Sequence, residues 1–163
     1  MKLDEIDRKI IEVLQLDGRI TNAKLASIIG ISPPATLERV RTLELSGIIS
    51  RYVALVDPEK VGLGVMAIVA VSLAAHELRS VDSIREKMLE YEEVLECHQT
   101  SGQNDFMLKV ALESIDSYSQ FAMHKLFSIP GIRTIKSYFI LSTIKNSTRF
   151  PIKLIPKTSS ATP

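Results

Sequence analysis

A chain of 163 residues has room for one medium domain or two small ones, which excludes a large catalytic barrel. With 45% hydrophobic and 24% charged residues it can bury a real core, and its lone cysteine, Cys97, excludes an internal disulfide framework or a Cys-rich zinc site. The formal net charge of +1 gives the whole chain no affinity for a polyanion, so any nucleic-acid contact has to come from a local basic face. Residues 1 to 52 hold eight Lys/Arg against seven Asp/Glu, residues 53 to 150 hold ten against twelve, and the tail from 151 carries Lys153 and Lys157 with no acid. A basic face is therefore sought in the first fifty residues. No apolar run approaches the ~20 residues of a membrane span. The opening MKLDEIDRKI has acids where a signal peptide needs apolar residues, so the expected location is cytoplasmic.

The first segment alternates helix signals with short turns. Ile6, Ile10, Val13 and Leu14 form one helical stripe, with Asp4 as cap and Asp7 in the first turn. Gly18 follows that helix, Thr21 can cap a second one carrying Leu25, Ile28 and Ile29, and Gly30 ends it. Ser32 before Pro33 opens a third helix, predicted to run to about Ser46 and to close at Gly47, because the hydroxyl accepts an orphan amide and proline is pre-set for the first helical position. Two helices joined by a tight glycine turn have the layout of a helix-turn-helix; a three-helix bundle without a DNA role is the alternative.

Residues 48 to 55 read as an extended strand ending at the Asp57-Pro58 turn. Val65 to Ala74 is apolar on both alternating faces, so it wants cover on both sides. There follow a helix marked by Val81, Ile84 and Met88, a strand from Val94 to Thr100, and a turn over Gly102 to Asp105. A strand from Phe106 to Leu112 comes next, then a helix marked by Ile115, Tyr118, Phe121, Ala122 and Leu126, and a last strand from Ile132 to Ile144. The sum is β-α-β-β-α-β, a ferredoxin-like arrangement in an α+β chain. Its own helices cover one face of such a sheet, and the other is expected to self-associate. The predicted organisation is a helix-turn-helix domain over residues 1–50, a linker strand and turn over 51–64, a ferredoxin-like effector-binding and oligomerisation domain over 65–146, and a tail over 147–163, of which residues 151–163 are expected to dock as a strap at most.

On the third helix, Thr36, Val40 and Leu43 face the bundle, while Pro34, Ala35, Glu38, Arg41 and Thr42 lie opposite and Arg39 sits on the flank. Together with Ser32 these are the candidate DNA contacts. Ala35 and the prolines can touch a thymine methyl, Arg39 or Arg41 can donate bidentately to guanine, and Glu38 can accept from cytosine. A solvated Arg-Glu face is the alternative. If each protomer neutralises about three phosphates, its salt slope is only about −2.7, so useful affinity needs several linked copies.

A set of residues carries a resemblance. Leu3-Asp4 with Asp7, Asp17-Gly18-Arg19, Leu25-Ala26, Gly30-Ile31-Ser32-Pro33, Arg39-Val40, Leu43-Glu44 and Gly47-Ile48-Ile49 resemble the Lrp/AsnC family of transcription regulators. The likeness continues through Asp57-Pro58, Gly62, Glu96-Cys97, Gly102, Asp105-Phe106, Tyr118, Pro130-Gly131-Ile132 and Ile144-Lys145. It implies a winged or plain helix-turn-helix tied to a ligand-sensing ferredoxin-like (RAM-type) module, binding of double-stranded DNA, and homodimers that assemble further, to an octamer. It also implies a small-molecule effector, an amino acid, held at the turn Thr100, Ser101, Gly102, Gln103, Asn104 and Asp105. Backbone amides of that turn can hold a carboxylate and Asp105 an ammonium group, although Gly, Asn and Asp are also what any tight turn uses.

Two other readings stay open: a sirohaem decarboxylase-like enzyme on the same architecture, and an effector or assembly module that does not bind DNA. The first needs a basic, His- and Arg-containing pocket; His76, His98 and His124 are scattered and show no ligand spacing, so no metal or cofactor is expected. Cys97 is read as a small buried side chain rather than a nucleophile.

Overall fold

The computed structural model describes residues 3–74 and 80–153. The chain forms two compact units, one containing the chain up to Leu55 together with the segment from Lys145 onward, the other spanning Val56–Ile144.

The first unit is built on three helices, α1 (Glu5–Leu14), α2 (Asn22–Ile29) and α3 (Pro33–Leu45). Each starts where a side chain accepts an otherwise unpaired backbone amide: Asp4 for α1, Thr21 for α2 and Ser32 for α3. Gly30 ends α2 with a left-handed φ of +81°, which reverses the chain into Ser32 within three residues and makes the turn between α2 and α3. Asn22 Nδ2 donates to the Pro33 carbonyl at 2.8 Å and ties the two helix starts together. Ile10, Ile11, Leu25 and Leu43 are buried at the centre, with Ile6, Val13, Leu14, Ile29 and Val40 packed around them. Ile11 thus joins the expected stripe, while Ile28, expected in the core, is 56% exposed because it lies outward of the Leu25–Ala26 side of a short helix.

The second unit contains β1 (Val65–Leu73), α4 (Ser80–Glu90), β2 (Val94–Gln99), β3 (Phe106–Leu112), α5 (Ile115–Gln120), continued by a π-helical turn Phe121–Leu126, and β4 (Ile132–Phe139). The sheet order is β2-β3-β1-β4, and every neighbouring pair is antiparallel. In register, Ala67, Val69 and Val71 of β1 stand beside Val110, Leu108 and Phe106 of β3, and this face packs on Ile84 and Met88 of α4 and on Tyr118, Phe121 and Leu126. The opposite face alternates Met66, Ile68 and Ala70 with Ala111, Lys109 and Met107, flanked by Lys136 and Tyr138 of β4. The β-α-β-β-α-β expectation is met, with both helical segments packed on one side of the sheet and none of this unit's own helices among the described residues on the other.

Three expectations need correction. Residues 48–55 join no ladder among the described residues, since a strand needs a hydrogen-bonding neighbour and none lies beside them here. The last strand stops at Phe139 rather than Ile144; Ile140 makes one further bond to the Met66 carbonyl at 2.8 Å, and β1 offers no longer edge beyond it. Ile115, expected on the apolar side of α5, is 64% exposed because it sits in the first turn beside the Ser114 cap. Residues 75–79, which include His76, and residues 154–163 lie outside the described residues.

Candidate nucleic-acid interface and effector loop

Helix α3 divides cleanly. Thr36 and Leu43 are fully buried, and the Thr36 hydroxyl donates to the Ser32 carbonyl at 3.0 Å, so the inward side carries no unsatisfied polar atom. Ser32, Pro34, Ala35, Glu38, Arg41 and Thr42 are all exposed, on the side the helical period assigned to them. Two are locally engaged: Ser32 Oγ accepts from the Ala35 amide at 3.4 Å, and the Thr42 hydroxyl donates back to the Glu38 carbonyl at 2.8 Å. Among the described residues Arg41 has no carboxylate within ion-pair distance.

Arg39 does something else. Its Nη1 donates to Asp4 Oδ2 at 2.8 Å and to Asp7 Oδ1 at 2.7 Å. Asp4 and Asp7 also cap α1 reciprocally, Asp4 Oδ1 accepting from the Asp7 amide at 2.8 Å and Asp7 Oδ2 from the Asp4 amide at 3.1 Å. The Asp7 side chain is only 5% exposed, so it needs a cation, and Arg39 supplies one from the neighbouring helix. The Asp7 amide, aided by Arg39, holds the Asp4 carboxyl below the usual range, while hydrogen bonds to the Asp4 and Asp7 carboxylates raise Arg39. The residue read as a guanine donor is thus engaged as a tie between α1 and α3. The capping pattern Asp4-x-x-Asp7 was visible in sequence, but its cationic partner was not.

Tyr52 adds a second tie. Its hydroxyl donates to Glu44 Oε1 at 3.0 Å, and its ring lies 3.1 Å from where a Cβ on Gly18 would stand. Desolvation, then the hydrogen bond to Glu44, push the phenol up to about 12.

In the second unit, Thr100 to Asp105, the candidate effector residues, join β2 to β3. The Thr100 amide donates to the Asp105 carbonyl at 2.9 Å and the Thr100 hydroxyl to the Asn104 carbonyl at 2.5 Å. Two bonds anchor the loop to the end of β1: Asp105 Oδ2 accepts from the Leu73 amide at 2.8 Å, and the Ser72 hydroxyl donates to Asn104 Oδ1 at 3.3 Å. Ser101, Gly102 and Gln103 are exposed at the tip, and a Cβ on Gly102 would meet nothing within 4 Å. Among the described residues Asp105 Oδ1 has no hydrogen-bond partner, and Ser101, Gly102 and Gln103 make no backbone bond at the exposed tip.

A cleft of about 900 Å³ in the same unit was not anticipated. It lies between the end of α4, the β2 edge and the π-helical turn. Lys125 Nζ reaches Glu93 Oε1 at 2.5 Å within it, and His124 lines it. Burial is the largest single influence and raises the Glu93 carboxyl, but the Lys125 hydrogen bond, the Glu93 amide and the Lys125 charge together outweigh it and leave the group below the usual range. His98 sits elsewhere, on the open sheet face, 3.2 Å from Glu96. Cys97, expected buried, is exposed on the edge strand β2, and partial desolvation pushes its thiol up, away from nucleophilic character.

A capped helix-turn-helix joined to a ferredoxin-like unit with an anchored, open-tipped loop defines a DNA-binding protein with a small-molecule-sensing partner module. The comparisons narrow the class. The AsnC-type helix-turn-helix domain matches residues 3–44 and the Lrp/AsnC ligand binding domain matches residues 66–150. The leucine-responsive regulatory proteins of Klebsiella pneumoniae and Escherichia coli K12 are each 34% identical over 151 residues, covering 93% of this chain and 92% of the relative. A Neisseria meningitidis transcriptional regulator in complex with L-methionine superposes with a TM-score of 0.89 at 34% identity, covering 92% of this chain and 97% of the other. Escherichia coli AsnC superposes at 0.85 with 27% identity, covering 93% and 100%. The chain belongs to the Lrp/AsnC family of transcriptional regulators. No helix among the described residues is long and apolar enough to cross a membrane.

Proposed function

We propose that this regulator reads duplex DNA through the outward side of α3, with Ser32, Pro34, Ala35, Glu38, Arg41 and Thr42 against the groove and Arg39 holding the helix to α1 rather than touching bases. The observation that carries this reading is the division of α3: an inward side with fully buried Thr36 and Leu43, and an outward side that leaves Pro34 and Ala35 of the first turn and Arg41, two turns further on, exposed. A recognition helix needs both, a rigid seat and unengaged side chains along the side that faces the groove. The test is fluorescence anisotropy on genomic duplex fragments with Arg41→Ala. Loss of about 1 to 3 kcal/mol of affinity at selected sites is expected for a base contact. Affinity equal to that of the unaltered protein at every site refutes it.

The loop Thr100 to Asp105 is proposed as the effector site for an amino acid. Amides at the Ser101-Gly102 tip take the α-carboxylate, and Asp105 Oδ1 takes the ammonium group while Oδ2 stays on Leu73. The open sheet face, with Met66, Ile68, Met107 and the 56% exposed Tyr138, is proposed to pair with a second copy, and further association of dimers to make the octamer. An amino acid that binds one assembly state better shifts the spacing of the DNA-binding units, a coupling of about 1 to 3 kcal/mol. Such a regulator acts in the cytoplasm, without catalysis of its own. A thermal-shift screen over the amino acids, coupled to sedimentation, tests the switch, and a particle whose size and melting ignore all of them overturns it.

A further inference from the structure

The segment from Lys145 folds into the DNA-binding unit although the whole sensor unit separates it from the helices in sequence. Gln15, just past the end of α1, grips it with both ends of its amide. Gln15 Nε2 donates to the Phe150 carbonyl at 3.0 Å, and Gln15 Oε1 accepts from the Phe150 amide at 2.6 Å. A side-chain amide here plays the part of a neighbouring strand and satisfies both backbone groups of one residue. Ile152 packs against the helical core two residues further on, and Pro151 between them has a locked φ. Arg149 and Lys153, next to these anchors, are thereby held in place, and Lys145 opens the same segment of the unit.

Three of those residues are cations. Lys145, Arg149 and Lys153 are exposed, and none has a carboxylate within ion-pair distance among the described residues. On the helices, Arg8 is paired with Glu5 and Glu12 and Arg39 with Asp4 and Asp7, while Lys9, Lys24 and Arg41 have no carboxylate within ion-pair distance among the described residues. By sequence, the first 55 residues hold eight Lys/Arg against seven Asp/Glu, and the segment from Lys145 adds four cations and no acid. The DNA-binding unit thus carries twelve cations against seven acids, a net +5, while Val56–Ile144 holds eight against twelve, a net −4. Nearly all the positive charge excess of that unit comes from the C-terminal segment.

We propose that Lys145, Arg149 and Lys153, docked on the DNA-binding unit by Gln15 and Ile152, form a second contact surface for the duplex, directed at backbone phosphates. The proposal rests on the DNA-binding reading above and extends it to a surface remote in sequence from the helix-turn-helix. Phosphate oxygens are what such flexible, unpaired cations recognise, and contacts of this kind add affinity and salt dependence without sequence preference. Three phosphates neutralised per unit correspond to a slope of about −2.7 in log affinity against log salt, or roughly a 40-fold loss between 50 and 200 mM.

The experiment measures binding of the full-length chain to a random-sequence duplex across that salt range. Three proteins are compared: the unaltered chain, Lys145→Gln/Arg149→Gln/Lys153→Gln, and Gln15→Ala, each checked by circular dichroism and melting. The triple variant is expected to lose up to about 2.7 in slope while its preference among duplex sequences stays the same. Gln15→Ala keeps every charge but frees the segment, and it is expected to lose part of the slope as well. A triple variant with the unaltered slope overturns the proposal and leaves the α3 reading standing. A Gln15→Ala variant with the unaltered slope overturns the docked surface. An unaltered chain with no salt-dependent duplex binding overturns both readings.

Discussion

Replacing Arg39 with alanine separates a structural tie from a DNA contact. The substitution leaves the Asp7 carboxylate, 5% exposed, without the cation that neutralises it at 2.7 Å, while Asp4, half exposed, is largely rescued by water. Breaking a buried pair from one side costs about 3 to 5 kcal/mol. Because the Arg39 side chain is itself 33% exposed, water replaces part of what is lost, and about 2 to 3 kcal/mol is expected. Arg41, exposed and unpaired among the described residues, is expected to cost less than about 0.5 kcal/mol on the same substitution. Denaturant unfolding of the two variants, followed by helical signal, gives the comparison. A double variant, Asp7→Asn with Arg39→Ala, removes the orphaned charge and is expected to be more stable than Arg39→Ala alone. An Arg39→Ala protein with an unaltered midpoint and slope refutes the assignment of Arg39 to the α1–α3 contact and returns it to the groove.

Gly30→Ala places a Cβ at φ +81° in the turn of the helix-turn-helix, so it is expected to destabilise the first unit by about 1 to 2 kcal/mol in thermal or denaturant unfolding. Gly102→Ala meets no atom within 4 Å, so stability should stay within about 0.5 kcal/mol while effector-induced thermal shifts shrink; unchanged shifts remove Gly102 from the effector site. Tyr52 has a folded value of about 12 against an ordinary 10.0, so its neutral form is favoured by folding. That contribution is complete below pH 10 and disappears as pH rises towards 12, and a tyrosinate absorbance titration should show one phenol ionising late that Tyr52→Phe removes. Asp4 shifts the other way: its lowered value stabilises the fold above its ordinary 3.8 and is lost as pH falls below it, which an acid titration of Asp4→Asn against the unaltered protein would reveal as a reduced acid sensitivity.

The elements that short stretches of chain control were legible. Ser32-Pro33 starts α3 and Gly30 ends α2 because capping and left-handed backbone are properties of a few consecutive residues. Phe106–Leu112 was placed to the residue, and Thr36 and Leu43 to the inward side of α3, because a period of two or 3.6 sorts side chains without knowledge of what they meet. The residues between Ile48 and Leu55 look like a strand by the same logic, yet a ladder needs a neighbour and composition does not say whether one is there.

Partners distant in sequence were hidden. Arg39 lies 35 and 32 positions from Asp4 and Asp7, and its side chain could turn to a groove or to α1 until the packing of α3 on α1 set the distance. Gln15 and Phe150 are 135 positions apart. Local patterning therefore established a helix-turn-helix followed by a ferredoxin-like unit, since caps, periods and turns act within a few residues. The electrostatic character of the DNA-binding unit came from folding: charge adds up over whatever segments pack together, and the cations of the C-terminal segment count towards that unit because an amide and an isoleucine hold them there.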